Sequence, residues 1–217
     1  MKKILLIFAL LSSLGFSENN EITIRGGLSG TNFDQNNKTS IINQNTNMSS
    51  GPFFGVEYAR GLSSQPNLKF GVGISIGGVA SRDENFPNKS VNNKAYTYNY
   101  EYSNTAIINT PIYALVKYEF PNSSSVTPYV VGRIGYDFAT TKNMVKFKPT
   151  GETSDLKIEN GFYYGVGGGI KLSNWNFEIS YDNTSTKTSY SDKRYKINDS
   201  KENLGKINLA VGYTFKF

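Results

Sequence analysis

From Ile207 onward every second residue is apolar: Ile207, Leu209, Val211, Tyr213, Phe215 and Phe217 alternate with Asn208, Ala210, Gly212, Thr214 and Lys216. A period of two specifies a β-strand with one apolar and one polar face. The same alternation predicts seven further strands. Residues 21–30 set Ile22, Ile24 and Leu28 against Thr23, Arg25, Gly27 and Ser29, and residues 52–60 set Phe54, Val56 and Tyr58 against Gly55, Glu57 and Ala59. In residues 68–80, Phe70, Val72, Ile74 and Ile76 alternate with Gly71, Gly73, Ser75 and Gly77. Residues 107–120 turn Ile108, Ile112, Ala114, Val116 and Tyr118 one way and Asn109, Tyr113, Lys117 and Glu119 the other. In residues 129–140, Val130, Ile134, Tyr136 and Phe138 oppose Tyr129, Arg133 and Asp137. Residues 162–172 oppose Tyr164, Val166 and Ile170 to Tyr163, Gly165, Gly167, Gly169 and Lys171, and residues 175–182 oppose Trp175, Phe177, Ile179 and Tyr181 to Asn176, Glu178, Ser180 and Asp182.

The connections between these strands alternate in length. Polar tracts at 31–49, 81–104, 141–160 and 183–203 are long, whereas 61–67, 121–127 and 173–174 are short. Each strand is near the roughly 9–11 residues that cross a bilayer at a tilt. The layout predicts an all-β fold, an eight-stranded antiparallel up-and-down transmembrane β-barrel, with the long connections at one end and the short ones at the other. Pro111 conflicts with this pattern, because proline cannot donate to a ladder and a closed barrel has no edge to hold it. A bulge, or the start of regular pairing, is expected there.

The polar strand faces collect Arg25, Glu57, Lys117, Glu119, Arg133, Asp137, Lys171, Glu178 and Asp182. An eight-stranded barrel has an interior just wide enough for side chains to fill, and charges withdrawn from water must pair. These nine residues are therefore expected to form a polar network in the lumen, with Arg25, Glu57, Arg133, Lys171 and Glu178 as its middle layer. Such a network serves either as a narrow polar pore or as a plug that holds the barrel shut. The lumen glycines give room to long neighbours. Gly165-Val166-Gly167-Gly168-Gly169 and Gly71-Val72-Gly73 lie inside alternating strands, so they lack the strand-to-helix context of a phosphate-binding loop.

Composition sharpens the picture at the N-terminus. Met1-Lys2-Lys3 is a basic start, Ile4 to Leu11 an apolar run, and Gly15 and Ser17 are small residues around Phe16. This pattern predicts a signal peptide at residues 1–17 and a barrel domain at residues 18–217. The run is too short for a membrane-spanning helix. Cysteine is absent, which removes disulfides and thiolate metal sites. The net charge of +6 falls to +4 without Lys2 and Lys3, and no basic block suggests nucleic acid as a partner. Asp83-Glu84 has no spacing of a twelve-residue calcium loop. No metal and no cofactor is expected.

The ending Gly212-Tyr213-Thr214-Phe215-Lys216-Phe217 resembles the C-terminal assembly signal of bacterial outer-membrane barrels, with Tyr213, Phe215 and Phe217 as its aromatic positions. Residues 109–120 (NTPIYALVKYEF) and 127–132 (TPYVVG), together with the layout of the whole chain, are similar to the small bacterial outer-membrane β-barrel domain family, whose relatives include the OmpA transmembrane domain and the opacity adhesins. The resemblance implies residence in the bacterial outer membrane as a monomer. It also implies the lipid bilayer, lipopolysaccharide, the outer-membrane insertion machinery and host surface ligands as partners. With the last strand closing at Phe217, no peptidoglycan-binding domain is expected.

The chain has no histidine. Barrel hydrolases, proteases and lipid A-modifying enzymes mostly use a histidine as base or proton shuttle, the role its near-neutral pKa suits, so no enzyme and no catalytic residue is expected. Binding is expected in the long connections. Tyr96, Tyr98, Tyr100 and Tyr102 alternate with polar residues at the end of 81–104, as contact residues or as strand running on past the membrane. Lys187, Lys193, Arg194, Lys196 and Lys201 outnumber Asp192, Asp199 and Glu202 in 183–203, a surface that suits lipopolysaccharide phosphates or acidic glycans. The expected function is a non-enzymatic outer-membrane barrel, structural and surface-displaying, with four long extracellular loops for surface contact or adhesion. The alternatives are a small porin-like diffusion channel with a charged lumen and a soluble periplasmic barrel holding an apolar ligand.

Overall fold

The computed structural model of the protein describes residues 20–34, 49–77, 89–91, 94–96, 100–147, 153–191 and 196–217. The signal peptide expected at residues 1–17 lies outside them. Among the described residues eleven strands form: β1 (Asn20–Asp34), β2 (Ser49–Gly61), β3 (Leu68–Gly77), β4 (Lys89–Val91), β5 (Lys94–Tyr96), β6 (Tyr100–Glu119), β7 (Val126–Phe147), β8 (Thr153–Ile158), β9 (Gly161–Leu172), β10 (Trp175–Ser191) and β11 (Lys196–Lys216). The ring β1-β2-β3-β6-β7-β9-β10-β11 is antiparallel throughout and closes when β11 pairs with β1. The small β4–β5 hairpin is a sheet of its own.

Strand β8 is not a ninth stave. It pairs with β7 and β10, the same two neighbours as β9, and runs into β9 through Glu159 and Asn160. Against β10 the register moves by one residue, from Ser185–Phe162 to Thr188–Ile158. The two segments are therefore one stave with a step in it.

Ile24, Val56, Ile74, Ile112 and Tyr136 are successive partners on five neighbouring strands. All of them point away from the lumen, and large apolar side chains elsewhere on this surface are as bare as Leu209 at 60% and Val166 at 62% exposed. Such a belt is stable only against lipid. Aromatic pairs edge it at both ends: Trp175, Tyr213 and Phe215 stack edge-to-face beside the short turns, as do Tyr118 and Phe120, and Tyr136 with Phe138 and Phe162 with Tyr164 mark the other rim. The buried apolar residues are few, chiefly Tyr113, Leu115, Tyr129, Val131 and Tyr163, because the interior is mostly polar.

Most staves are longer than the alternation predicts, and four strands exceed it most. Strands β6, β7, β10 and β11 have 20, 22, 17 and 21 residues. Parts of the expected loops at 31–49, 81–104, 141–160 and 183–203 are strand: 31–34, 49, 89–91, 94–96, 100–104, 141–147, 153–158, 183–191 and 196–203. Beyond the belt the apolar rhythm of the sequence ends although the ladder goes on. Tyr100 and Tyr102 fall in β6, opposite Phe147 and Val145, and Tyr96 in β5, while Tyr98 is outside the described residues.

Pro111 is accommodated without a bulge. The β3–β6 partners run up to Ile74–Ile112 and resume in the same register at Gly77–Asn109. The ladder lapses beside the proline, and Gly77, with φ of +149°, takes a conformation suited to glycine where it resumes. The register shifts of the tall hairpins lie higher, between Ser103 and Ala106 in β6 and between Thr188 and Tyr190 in β10.

Candidate functional site in the barrel lumen

Alternation sends the polar face of every stave inward, and the stagger of the strands sorts these residues into three layers. At mid-barrel, Arg25 (β1), Glu57 (β2), Arg133 (β7) and Glu178 (β10) form a closed quartet. Arg25 Nη1 lies 2.8 Å from Glu57 Oε1 and 3.1 Å from Glu178 Oε1. Arg133 Nη2 lies 2.9 Å from Glu57 Oε1, and its Nη1 3.0 Å from Glu178 Oε1. The Tyr113 hydroxyl donates to Glu57 at 2.9 Å and the Tyr129 hydroxyl to Glu178 at 3.2 Å. Each carboxylate thus holds two guanidinium groups and a phenol, the compensation that buried charge requires.

Nearer the short turns, three ammonium groups surround two carboxylates. Lys69 Nζ reaches Glu21 Oε2 at 2.6 Å and Glu119 Oε1 at 2.8 Å; Lys117 Nζ stands 3.2 and 3.4 Å from the same two side chains, and Lys171 Nζ 3.5 and 3.0 Å. Lys171 therefore belongs here and not in the middle layer where the sequence puts it. Its strand position sets which way it points, but the tilt of β9 sets its height. Glu21 and Lys69 carry the layer with it and are absent from the nine expected residues.

The third layer lies toward the tall hairpins. Asp137 accepts from Asn109 Nδ2 at 2.7 Å, from Thr184 Oγ1 at 2.8 Å and from the Thr110 amide at 2.9 Å. Lys206 donates to Asn109 Oδ1 at 2.6 Å, and Asn208 donates to Asp182 Oδ2 at 2.8 Å. All nine expected lumen residues face inward, in these three layers rather than one connected set. Neutral donors and acceptors such as Asn109, Thr184 and Asn208 complete them, and no charge signals those in the sequence.

Two of the lumen glycines make room for rings, and Gly165 makes room for the Asp182 carboxylate. A Cβ at Gly73 would lie 2.5 Å from the Tyr113 ring, and one at Gly169 2.8 Å from that of Tyr129. A cavity of about 20 Å³ lies on the Lys117 side of the quartet and one of about 30 Å³ on the Asp137 side, and Arg25 touches both. Each has room for a water molecule or two. The buried Arg25 Nε and Asn176 Oδ1, which have no hydrogen-bond partner among the described residues, suit such waters.

Residues 4–215 match the outer membrane protein beta-barrel domain family. The chain belongs to this family. An uncharacterised protein of Pasteurella multocida, PM1543, is 30% identical over 117 residues, which are 48% of this chain and 49% of that protein, so the match spans about half the relative's length. Among solved structures, Neisserial surface protein A is similar over 91% of this chain and 97% of its own, at 14% identity and a TM-score of 0.49. OprG of Pseudomonas aeruginosa is similar over the same shares, at 16% identity and a TM-score of 0.47. The protein is an eight-stranded barrel of the bacterial outer membrane, which removes the soluble periplasmic alternative. In such barrels the short turns face the periplasm and the long connections the outside. The layer of Glu21 is then periplasmic and the layer of Asp137 extracellular.

Proposed function

We propose that the protein is a closed, non-enzymatic monomeric barrel that holds an extracellular β-sheet above the outer membrane for surface contact. The length of β6, β7, β10 and β11 carries this reading: 17 to 22 residues are well beyond the roughly 9–11 that cross a bilayer. The surplus is polar, hydrogen-bonded sheet and not loose loop, and it rises on the side away from the short turns. The quartet across the lumen fits a plug beneath it. The mixed, slightly basic residues of 187–202 suit contact with lipopolysaccharide phosphates or acidic host glycans. Tyr213 and Phe215, at the periplasmic end of β11, together with Phe217 suit recognition by the insertion machinery.

Trypsin treatment of intact cells, with fragments mapped by mass spectrometry, tests the display. Cuts are expected at Lys193 and Arg194, between the paired ends Ser191 and Lys196, and not at Lys187 in β10 or Lys146 in β7. Resistance until the outer membrane is opened would remove the reading. A small channel is the second reading, favoured by the charged lumen and its two cavities.

A further inference from the structure

We infer that the periplasmic layer of the lumen is a binding site for a small anion of the size of chloride or phosphate. Lys69, Lys117 and Lys171 are paired with two carboxylates, Glu21 and Glu119, and the Tyr129 ring centroid lies 4.7 Å from Lys117 Nζ, which leaves one positive charge in excess. None of these five residues is on the surface: Glu21, Lys69, Lys117 and Lys171 are 3 to 7% exposed, and the Glu119 side chain 12%. Charge held this far from water is costly unless it is compensated.

Among the described residues no further acidic side chain pairs with these lysines. The quartet above is balanced within itself, two guanidiniums against two carboxylates. The turns at the periplasmic mouth, 61–67, 120–125 and 173–174, contain no charged residue. Lys216, the partner of Glu21 across the β1–β11 ladder, adds a fourth ammonium group at the rim. Among the described residues the three buried lysines make no ion pair with a carboxylate other than Glu21 and Glu119. Ammonium groups on three different staves, β3, β6 and β9, converge there, so their free N–H bonds can meet one acceptor from several sides. The quartet closes the inner end, and an anion enters from the periplasm.

The test is unfolding of the full-length barrel in a maltoside detergent, which carries no anion, followed by Trp175 fluorescence in urea. Sodium chloride, sodium phosphate and sodium gluconate are compared at equal ionic strength. Wild type is expected to show a midpoint that rises and saturates with chloride or phosphate but not with the bulky gluconate. Lys171→Met, which balances the layer, is expected to lose this dependence; Lys69→Met serves the same purpose if the first variant does not fold. A midpoint that follows ionic strength alone, or an anion dependence kept in the balanced variants, would overturn the inference. The first of these outcomes would mean that one lysine sits there uncharged, and the second that the anion binds elsewhere.

Discussion

Single residues in this barrel are constrained by which way they point. The Arg133 side chain is 1% exposed and touches both acids of the quartet. Arg133→Ala leaves Glu57 and Glu178 sharing Arg25 alone and is expected to cost about 3–5 kcal/mol in urea unfolding. Replacing Arg25, Glu57, Arg133 and Glu178 together by apolar residues of similar size is expected to cost much less, because no buried charge is then left unpaired. The glycines divide in the same way. Gly73→Ala drives a methyl group into the Tyr113 ring and is expected to destabilise by about 1–3 kcal/mol. At Gly132, on the lipid side, a Cβ meets nothing within 4 Å, and Gly132→Ala is expected to be neutral or slightly stabilising by the same measurement. Pointing direction is what the sequence reveals best. Alternation alone turns Arg25, Glu57, Arg133 and Glu178 inward, and carried through Thr23 to the start of β1 and to the start of β3 it also reaches Glu21 and Lys69. It does not give height along the barrel axis. That depends on tilt and stagger, which is why Lys171 lies a layer below its expected place.

At the scale of elements, the belt was legible and the sheet above it was not. Phe162 to Leu172 reads as a strand because lipid demands an apolar residue at every second position. Thr153 to Ile158 runs on in the same stave, past the apolar belt, where no period of two is demanded of its sequence. Likewise β10 continues to Ser191 through Asn183, Thr184, Ser185 and Thr186, where the β-branched threonines are the one residual signal. The turns follow local rules more closely. Ser173 joins β9 to β10 with φ of 55°, a region that costs a residue with a Cβ roughly 1–2 kcal/mol. Ser173→Gly is therefore expected to raise the urea midpoint by the equivalent of about 1 kcal/mol. An unchanged or lower midpoint would mean that the conformation is not strained there.

For the whole molecule, the layers bear on whether the lumen conducts. The periplasmic layer holds one positive charge in excess, the quartet none, and the extracellular layer, with Asp137 and Asp182 against Lys206, one negative. An ion of either sign is attracted at one mouth and repelled at the other. At mid-barrel it meets guanidiniums and carboxylates 2.8 to 3.1 Å apart. A hydrated ion passes only by separating these pairs, which a rigid eight-stranded wall resists. Wild-type protein in planar bilayers is expected to be silent. Arg133→Ala opens a gap beside Tyr113 and Tyr129, and any current through it is expected to rectify, because the two mouths differ in sign. Steady unitary steps in the wild type would establish the channel instead, and the quartet would then be its gate.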